Sequence, residues 1–345
     1  MHEMEQLIYG RSKEKIQKLK PDNFFIDISI ITEGFHSPGR NIADFTIIKV
    51  KDEYHIFYID SSPGVSCVIP GNEIFLGHSS TKNFQHFRIH EPSLSIVQGT
   101  WEGAHLWAPH VLKARGLYWM FYTGLTSTLA QSIGVAISDD LYDWRRIEGN
   151  PVFRPNNIPE IRWNPIEGAC RDPHILKYQG GYYLYATVDV ETGLDRESEE
   201  IAIGSCPMKG LVCAWSQDLI DWRYRSLAHI RPRSIVGISC IESPWVSYES
   251  DKFLLLFGHA DGLMFSWSDN PEHFADAYPL PGGHGVTGIE FIESSGDKRL
   301  VSFFTNGIEG FPLRRLLLGI LTITKNRKVT LKIIEDINML KIFNF

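Results

Sequence analysis

Three segments of the chain share one order of polar and apolar positions, and they align over eleven residues without a gap. They read DFTIIKVKDEY from Asp44, APHVLKARGLY from Ala108 and DPHILKYQGGY from Asp172. A fourth segment, ESPWVSYESDKF from Glu242, fits with one extra residue. Each opens on a polar or small residue, continues with strand-forming residues, turns, and enters an aromatic strand. This pattern predicts a β-hairpin in every copy.

A second element follows each hairpin and predicts two more strands joined by a polar turn. This second element is clearest in GVAISDDLYDW and VCAWSQDLIDW and is looser in GHSSTKNFQHF and MFSWSDNPEHF. A fifth, weaker copy of the whole repeat begins at His284. The openings at positions 44, 108, 172 and 242 are 64, 64 and 70 residues apart. A repeated four-stranded unit at this spacing favours an all-β, five-bladed β-propeller over a β-sandwich.

Five such units account for the whole chain, so we expect one propeller domain over residues 1–345. Residues 1–35 form an N-terminal extension in this interpretation. Within it, the apolar run FFIDISII, residues 24–31, is expected to be a strand that closes the ring with the last blade. Residues 5–20 are expected to form a short amphipathic helix outside the ring.

Composition narrows the classes of partner. The net charge of −7 argues against nucleic acid, which binds basic surfaces. The five cysteines are widely spaced without a CxxC pair, which favours reduced thiols over a zinc site or a disulfide framework. The N-terminal residues lack a secretory signal pattern, and no run of 18 apolar residues suggests a membrane span. We therefore expect a cytoplasmic protein with no membrane partner, and its oligomeric state stays open.

The residues that open the repeats carry the candidate chemistry. The innermost strand of each propeller blade lines the central channel, so equivalent residues of different blades converge there. Asp44, Asp172 and Glu242 are therefore expected to share one funnel, whereas Ala108 opens the second repeat. Crowded carboxylates repel one another, and a catalyst uses this repulsion to separate their pKa values. Calcium binding is the other use of three carboxylates, although no DxDxDG-type loop surrounds them.

Several motifs resemble those of the five-bladed propeller glycoside hydrolases, family 43 with family 32-like features, over roughly residues 35–325. The RDP at Arg171 resembles the family 32 motif, and the ESP at Glu242 lies between the family 43 EGP and the family 32 EC motifs. The WAP at Trp107 and the GHG around His284 are similar to the second and fifth blades of family 43. Asp44 departs from the family 32 NDPNG signature because Phe45 follows it.

The resemblance implies a role for each acid. Asp44 would be the general base that activates water, Glu242 the general acid, and Asp172 the group that tunes Glu242 and orients the sugar. This is the inverting scheme, with carboxyl groups about 6.5–9.5 Å apart. In a family 32-like, retaining enzyme, Asp44 would instead be the nucleophile, about 5–5.5 Å from Glu242.

Four further residues are candidates for binding the substrate. Trp107 and Trp245 could stack on a sugar face, Arg171 could donate hydrogen bonds to hydroxyl groups, and His110 lies near a blade opening. The resemblance also implies a structural ion in the central channel near His284, with no cofactor required.

The function expected from these residues is glycoside hydrolysis of small carbohydrates. Furanosides or pentopyranosides are the candidate substrates, which include arabinosides, xylosides and fructosides. Two alternatives stay open at this point. They are a glycoside phosphorylase, which would need a basic phosphate site, and a non-catalytic sugar-binding propeller.

Overall fold

The computed structural model of the chain describes residues 24–27, 34–191, 208–230, 241–260, 262–305 and 314–343. These residues form five antiparallel sheets arranged as the blades of a β-propeller, which confirms the fold expected from the repeat. Within these ranges, no helix is both long and apolar enough to cross a membrane.

Every blade is built around hairpins that follow one another along the chain. Blade 1 contains β1 (Phe24–Asp27), β2 (Asn41–Val50), β3 (Glu53–Ser61), β4 (Phe75–Thr81), β5 (His86–Ile89) and β6 (Leu94–Ser95). Blade 2 contains β7 (His105–Ala114), β8 (Leu117–Leu125), β9 (Gln131–Ser138) and β10 (Arg145–Arg146). Blade 3 contains β11 (Cys170–Tyr178), β12 (Gly181–Asp189), β13 (Lys209–Ser216) and β14 (Arg223–Ile230). Blade 4 contains β15 (Glu242–Glu249), β16 (Lys252–His259), β17 (Gly262–Ser268) and β18 (Tyr278–His284). Blade 5 contains β19 (Val286–Ser295), β20 (Lys298–Thr305), β21 (Leu316–Ile323) and β22 (Val329–Ile333), and a 3-10 helix, Ile337–Phe343, follows it.

The innermost strands close the ring. The strands β2, β7, β11, β15 and β19 contact one another in this order, and β19 contacts β2. The strand expected over 24–31 exists as β1, but it pairs with β5 at the outer edge of blade 1 and not with the last blade. Phe35 makes the link to blade 5 instead, because its backbone exchanges hydrogen bonds of 2.9 and 3.1 Å with Leu316. Residues 28–31 and the helix expected over 5–20 lie outside the described ranges.

The polar turns predicted between the third and fourth strands recur with the same hydrogen bonds. In blade 2, the Ser138 hydroxyl accepts from the Leu141 backbone N–H at 2.9 Å, and Asp140 accepts from that of Tyr142 at 2.8 Å. In blade 3, Ser216 and Asp218 make the equivalent contacts with the backbone N–H groups of the turn. Short side chains that hydrogen-bond the nearby backbone therefore define the turn.

Trp101 fills the interior of blade 2. Its ring lies in a stacked arrangement with Tyr122, with centroids 6.0 Å apart, and it covers Gly124 and Gly134 of the neighbouring strands. A Cβ atom at Gly134 would lie 2.8 Å from a ring carbon of Trp101. The two glycines are therefore required by close packing, and Trp101 is a core residue.

Replacing Gly124 by alanine is expected to lower the free energy of unfolding by about 1–3 kcal/mol, because the added Cβ overpacks the interior of blade 2. That Cβ would meet the Trp101 ring and would lie 2.7 Å from the Cβ of Glu102. Urea denaturation measures the change. In a Trp101→Leu background the same alanine should cost clearly less, and an equal cost in both backgrounds would show that Trp101 is not the obstacle.

Candidate active site

Each innermost strand has an irregular register at the same place. The shifts lie between Ala43 and Phe45, Trp107 and His110, Arg171 and His174, Glu242 and Trp245, and Thr287 and Glu290. The residue that opens each bulge has a positive φ, which is uncommon for residues other than glycine. These residues are Asp44 (23°), Ala108 (44°), Asp172 (59°), Ser243 (50°) and Gly288 (65°). Bulges re-aim side chains, and here they turn one position of every blade toward a common centre.

The five bulges form the floor of one pocket on the propeller axis. Its lining consists of the two bulged residues of each blade and Glu290: Asp44, Phe45, Ala108, Pro109, Asp172, Pro173, Ser243, Pro244, Gly288, Ile289 and Glu290. Two of the three expected acids, Asp44 and Asp172, thus line the same cavity.

Glu242 occupies a different register from the one expected. Ser243, and not Glu242, is the residue of blade 4 with the positive φ, so Glu242 is equivalent to Arg171 and Trp107. The extra residue in the fourth repeat is the reason. The sequence contains a signal that would have found the correct alignment, since proline follows the bulge-opening residue in blades 2, 3 and 4. The Glu242 side chain is 45% exposed, and Glu242 precedes the lining residue Ser243 without itself lining the pocket.

Asp44 is held by a hydrogen bond from blade 4. The Ser243 hydroxyl donates to Oδ1 of Asp44 at 2.6 Å. Burial raises the pKa of Asp44, and the nearby Glu242 carboxyl raises it further, whereas the Ser243 hydroxyl, Arg314 and Arg171 oppose the change. Asp44 therefore holds its proton more tightly than an ordinary aspartate.

Asp172 is buried and accepts several hydrogen bonds at one oxygen. Its Oδ2 accepts from the Ser243 backbone N–H at 3.1 Å and from the Thr187 hydroxyl at 3.3 Å, and Nε of Arg171 lies 3.5 Å away. Burial raises the pKa of Asp172, Arg171 opposes the change, and the carboxyl groups of Asp44 and Glu242 add to it.

Arg171 connects two of the acids. Its Nη2 donates to Oε1 of Glu242 at 2.7 Å, and its side chain is 13% exposed. The pair follows from the register, because the two residues occupy equivalent positions of adjacent blades. Arg171 therefore fixes the Glu242 carboxyl, which stays partly exposed to solvent.

A second layer of side chains lies two residues further along each innermost strand, below the acids. It comprises Thr46, His110, His174, Trp245 and Glu290, at equivalent register positions of the five blades. His110 and Trp245, both expected to bind substrate, belong to this layer. Their ring centroids are 5.9 Å apart, and Trp245 stacks on Phe291 at 5.1 Å. Neither is among the residues that line the pocket, whereas Glu290 of the same layer is.

Glu290 links the second layer to the pocket, and the sequence reasoning missed it. Its carboxyl accepts from the Thr46 hydroxyl at 3.3 Å and lies 4.0 Å from Nδ1 of His110. Burial raises the pKa of Glu290 well above that of an ordinary glutamate, and burial lowers the pKa of His110 to about 4. Burial thus favours the neutral form of both side chains.

Glu73 is a further acid near the pocket that the repeat did not reveal. It lies outside the innermost strands and is buried next to Asp44, Trp107 and Arg314. Burial raises the pKa of Glu73 to about 7, Arg314 opposes the change, and Asp44 adds to it. Trp107 is partly exposed beside Glu73, at the register position of Arg171 and Glu242.

His284 does not belong to an innermost strand. It is the last residue of β18, the outermost strand of blade 4, and its side chain is exposed. Blade 5 begins after it, at Val286, so the fifth copy of the repeat starts two residues later than expected. Among the described residues, no group of three or more histidine, cysteine, aspartate or glutamate side chains could hold a metal ion. The ion near His284 stays a prediction from the resemblance.

Part of the chain matches the model of a known protein family. Residues 42–197 match the domain described as "Glycosyl hydrolases family 32 N-terminal domain", which includes Asp44 and Asp172. No curated protein sequence matches the chain.

Solved structures share the fold at low sequence identity. A thermostable family 43 glycoside hydrolase is 16% identical with a TM-score of 0.64, and the alignment covers 85% of this chain and 93% of that one. The Bombyx mori family 32 β-fructofuranosidase BmSUC1 is 16% identical with a TM-score of 0.67, covering 98% of this chain and 71% of that one. A family 43 β-xylosidase/α-arabinofuranosidase from a compost microbial metagenome is also 16% identical, with a TM-score of 0.61, and covers 88% and 98%. These likenesses show the five-bladed propeller fold, and the domain match over residues 42–197 supports the resemblance to the propeller glycoside hydrolases of families 32 and 43 that the motifs indicated.

Proposed function

We propose that the chain hydrolyses small fructofuranosides at the pocket formed by the five bulges. The observation that carries the proposal is the convergence of Asp44 and Asp172 on one pocket, with the Glu242 carboxyl held by Arg171 and near enough to raise the pKa of both aspartates. The family 32 match over residues 42–197 and the likeness to a β-fructofuranosidase favour a fructoside among the candidate sugars. A related structure of that silkworm enzyme contains sucrose, which makes sucrose a suitable first substrate.

Each acid has a role in this proposal. Asp44, with Oδ1 engaged by Ser243, presents Oδ2 to the anomeric carbon as the nucleophile. Glu242, which is partly exposed and held by Arg171, protonates the departing glycosidic oxygen. Water then attacks the glycosyl-enzyme, and Glu242 takes its proton in this second step. Asp172, with Oδ2 already engaged, uses Oδ1 to accept hydrogen bonds from sugar hydroxyl groups.

Two residues next to the pocket lining would bind the sugar. Trp107, which precedes the lining residue Ala108, is partly exposed and can pack against an apolar sugar face. Arg171 can donate to a sugar hydroxyl while it holds Glu242. His110 and Trp245 lie below the floor, where they would support the bulges and not contact the substrate.

A second candidate is inverting hydrolysis of an arabinoside or xyloside. The WAP motif at Trp107 and the fold shared with a β-xylosidase/α-arabinofuranosidase favour it. In that case Asp44 would activate a water molecule, and the product would have the opposite anomeric configuration.

A substrate panel tests the proposal. Purified protein would be incubated with sucrose and with aryl β-D-fructofuranoside, α-L-arabinofuranoside, β-D-xyloside and β-galactoside. The anomer released first would be identified by ¹H NMR. We expect hydrolysis of the fructosides with retention. Hydrolysis of the arabinoside or xyloside with inversion would favour the second candidate. The absence of hydrolysis, followed by formation of a sugar phosphate when inorganic phosphate is added, would contradict both.

A further inference from the structure

We infer that Ser243 is a positioning residue of the active site, whose hydroxyl aims the Asp44 carboxylate while its backbone N–H holds Asp172. The inference rests on the proposed function. Ser243 spans the two acids, with the hydroxyl 2.6 Å from Oδ1 of Asp44 and the N–H 3.1 Å from Oδ2 of Asp172. Both contacts come from one residue, so the two carboxyl groups are fixed relative to each other.

The bulge makes this double contact feasible. At a φ of 50°, the N–H and the side chain of Ser243 reach different neighbours across the ring. The equivalent positions in the other blades hold aspartate, alanine, aspartate and glycine, so blade 4 alone among the five places a hydroxyl donor in the floor. A serine in this conformation carries a backbone cost that glycine would not. The retained strain suggests that the hydroxyl has a function there.

The hydroxyl leaves Asp44 with one engaged and one available oxygen. A hydrogen bond donated to a carboxylate favours its ionised form, which Asp44 needs as nucleophile or base. Several charged groups also act on Asp44, and they remain when the serine is replaced: Arg171, Asp172, Glu242, Arg314, Glu73 and Glu290. A change of the Asp44 pKa on replacing Ser243 therefore reports the hydrogen bond and not the surrounding charge.

Two substitutions of Ser243 separate the effect of the hydroxyl group from the effect of the strained backbone conformation. Ser243→Ala removes the donor and keeps the strained conformation, as Ala108 does in blade 2, whereas Ser243→Gly removes the donor and relieves the strain, as Gly288 does in blade 5. The pH profile of kcat/KM reports ionisation of the free enzyme. We expect its acidic limb to move up by about one pH unit in both variants, since a hydrogen bond to a charged group is worth about 1.5 kcal/mol or more.

The control is Ser302→Ala in blade 5, a buried serine whose hydroxyl has no hydrogen-bond partner among the described residues. Its pH profile should match that of the wild type. If the acidic limb of the kcat/KM profile lies at the wild-type pH in both Ser243 variants, the inference is wrong. A shift in the alanine variant that the glycine variant does not share would also overturn it, because backbone strain would then be the cause.

A measurement without turnover keeps the inference independent of the substrate. Ser243→Ala is expected to lower the melting temperature at pH 8 in the wild-type background and to have little effect in an Asp44→Ala background. An equal loss in both backgrounds would contradict the contact. If the wild type hydrolyses no glycoside, the proposed function fails, and this comparison alone decides whether Ser243 positions Asp44.

Discussion

Replacing Asp44 by asparagine is expected to reduce kcat/KM by at least about 10³-fold and to raise the melting temperature of the same protein. The loss of activity follows from removing the group that attacks or activates water, and such losses typically exceed those of a binding residue. Asparagine keeps the shape of the side chain, and its amide oxygen can still accept from the Ser243 hydroxyl. The variant should therefore fold like the wild type.

The gain in stability follows from the sign of the pKa shift. Burial raises the pKa of Asp44 in the folded state above that of the unfolded chain, so the folded state binds the proton more tightly. The contribution of Asp44 to the free energy of unfolding is therefore most favourable below the unfolded pKa of about 4, and it is lost as the pH rises through the folded pKa. Asparagine stays neutral and avoids that loss. The melting temperature should rise at pH 8, by about 2 °C or more, and much less at pH 5.

The matched control is Asp52→Asn, an exposed aspartate of the blade 1 hairpin that pairs with Lys82 at 2.7 Å. It should leave activity unchanged and should not raise the melting temperature. Thermal melts at the two pH values, combined with initial rates, measure both effects. An active Asp44→Asn variant, or one destabilised more at pH 8 than at pH 5, would contradict the role of Asp44 as a buried catalytic carboxylate.

Replacing Glu242 by glutamine is expected to slow hydrolysis by about 10²–10⁴-fold for substrates with a poor leaving group. Glutamine cannot donate a carboxylic proton to the glycosidic oxygen, although its amide oxygen can still accept from Arg171. An aryl glycoside with an acidic phenol needs little protonation to depart, so the first step should slow much less with that substrate. Comparing kcat/KM for a sugar leaving group and for a 2,4-dinitrophenyl leaving group separates the two cases.

Glu167→Gln serves as the control, because Glu167 is exposed, 3.9 Å from Arg162, and does not line the pocket. It should hydrolyse both substrates at the wild-type rate. If Glu242→Gln slows both substrates by the same factor, Glu242 does not act as the acid.

The sequence predicted the five blades because each hairpin and polar turn has a recognisable pattern of apolar and polar residues, and this pattern recurs along the chain. Asp44 and Asp172 could be placed in the funnel for the same reason, since each opens a copy of the repeat. Glu242 was assigned one residue away from its register, because a bulge and a positive φ leave no trace in a hydrophobic pattern. The proline after Ser243 was the available clue.

Other features depended on contacts between distant residues. Nothing local in the first strand indicates that it pairs with the outer edge of blade 1, or that Phe35 reaches Leu316. His110 was expected near a blade opening and Trp245 on a sugar face, yet neither is among the residues that line the pocket. Glu290 and Glu73 belong to parts of the chain where the repeat is weak or absent, so only the assembled ring brings them beside Asp44.

The central claim is that Asp44 and Glu242 act together in one hydrolytic site. The most direct measurement compares kcat/KM of Asp44→Asn, Glu242→Gln and the double variant with that of the wild type, on the glycoside that the panel identifies. Residues that act as a unit have non-additive effects, so the double variant should be about as slow as the slower single variant. If the two losses multiply, or if either single variant keeps the wild-type rate, the two carboxyl groups do not form a common catalytic site.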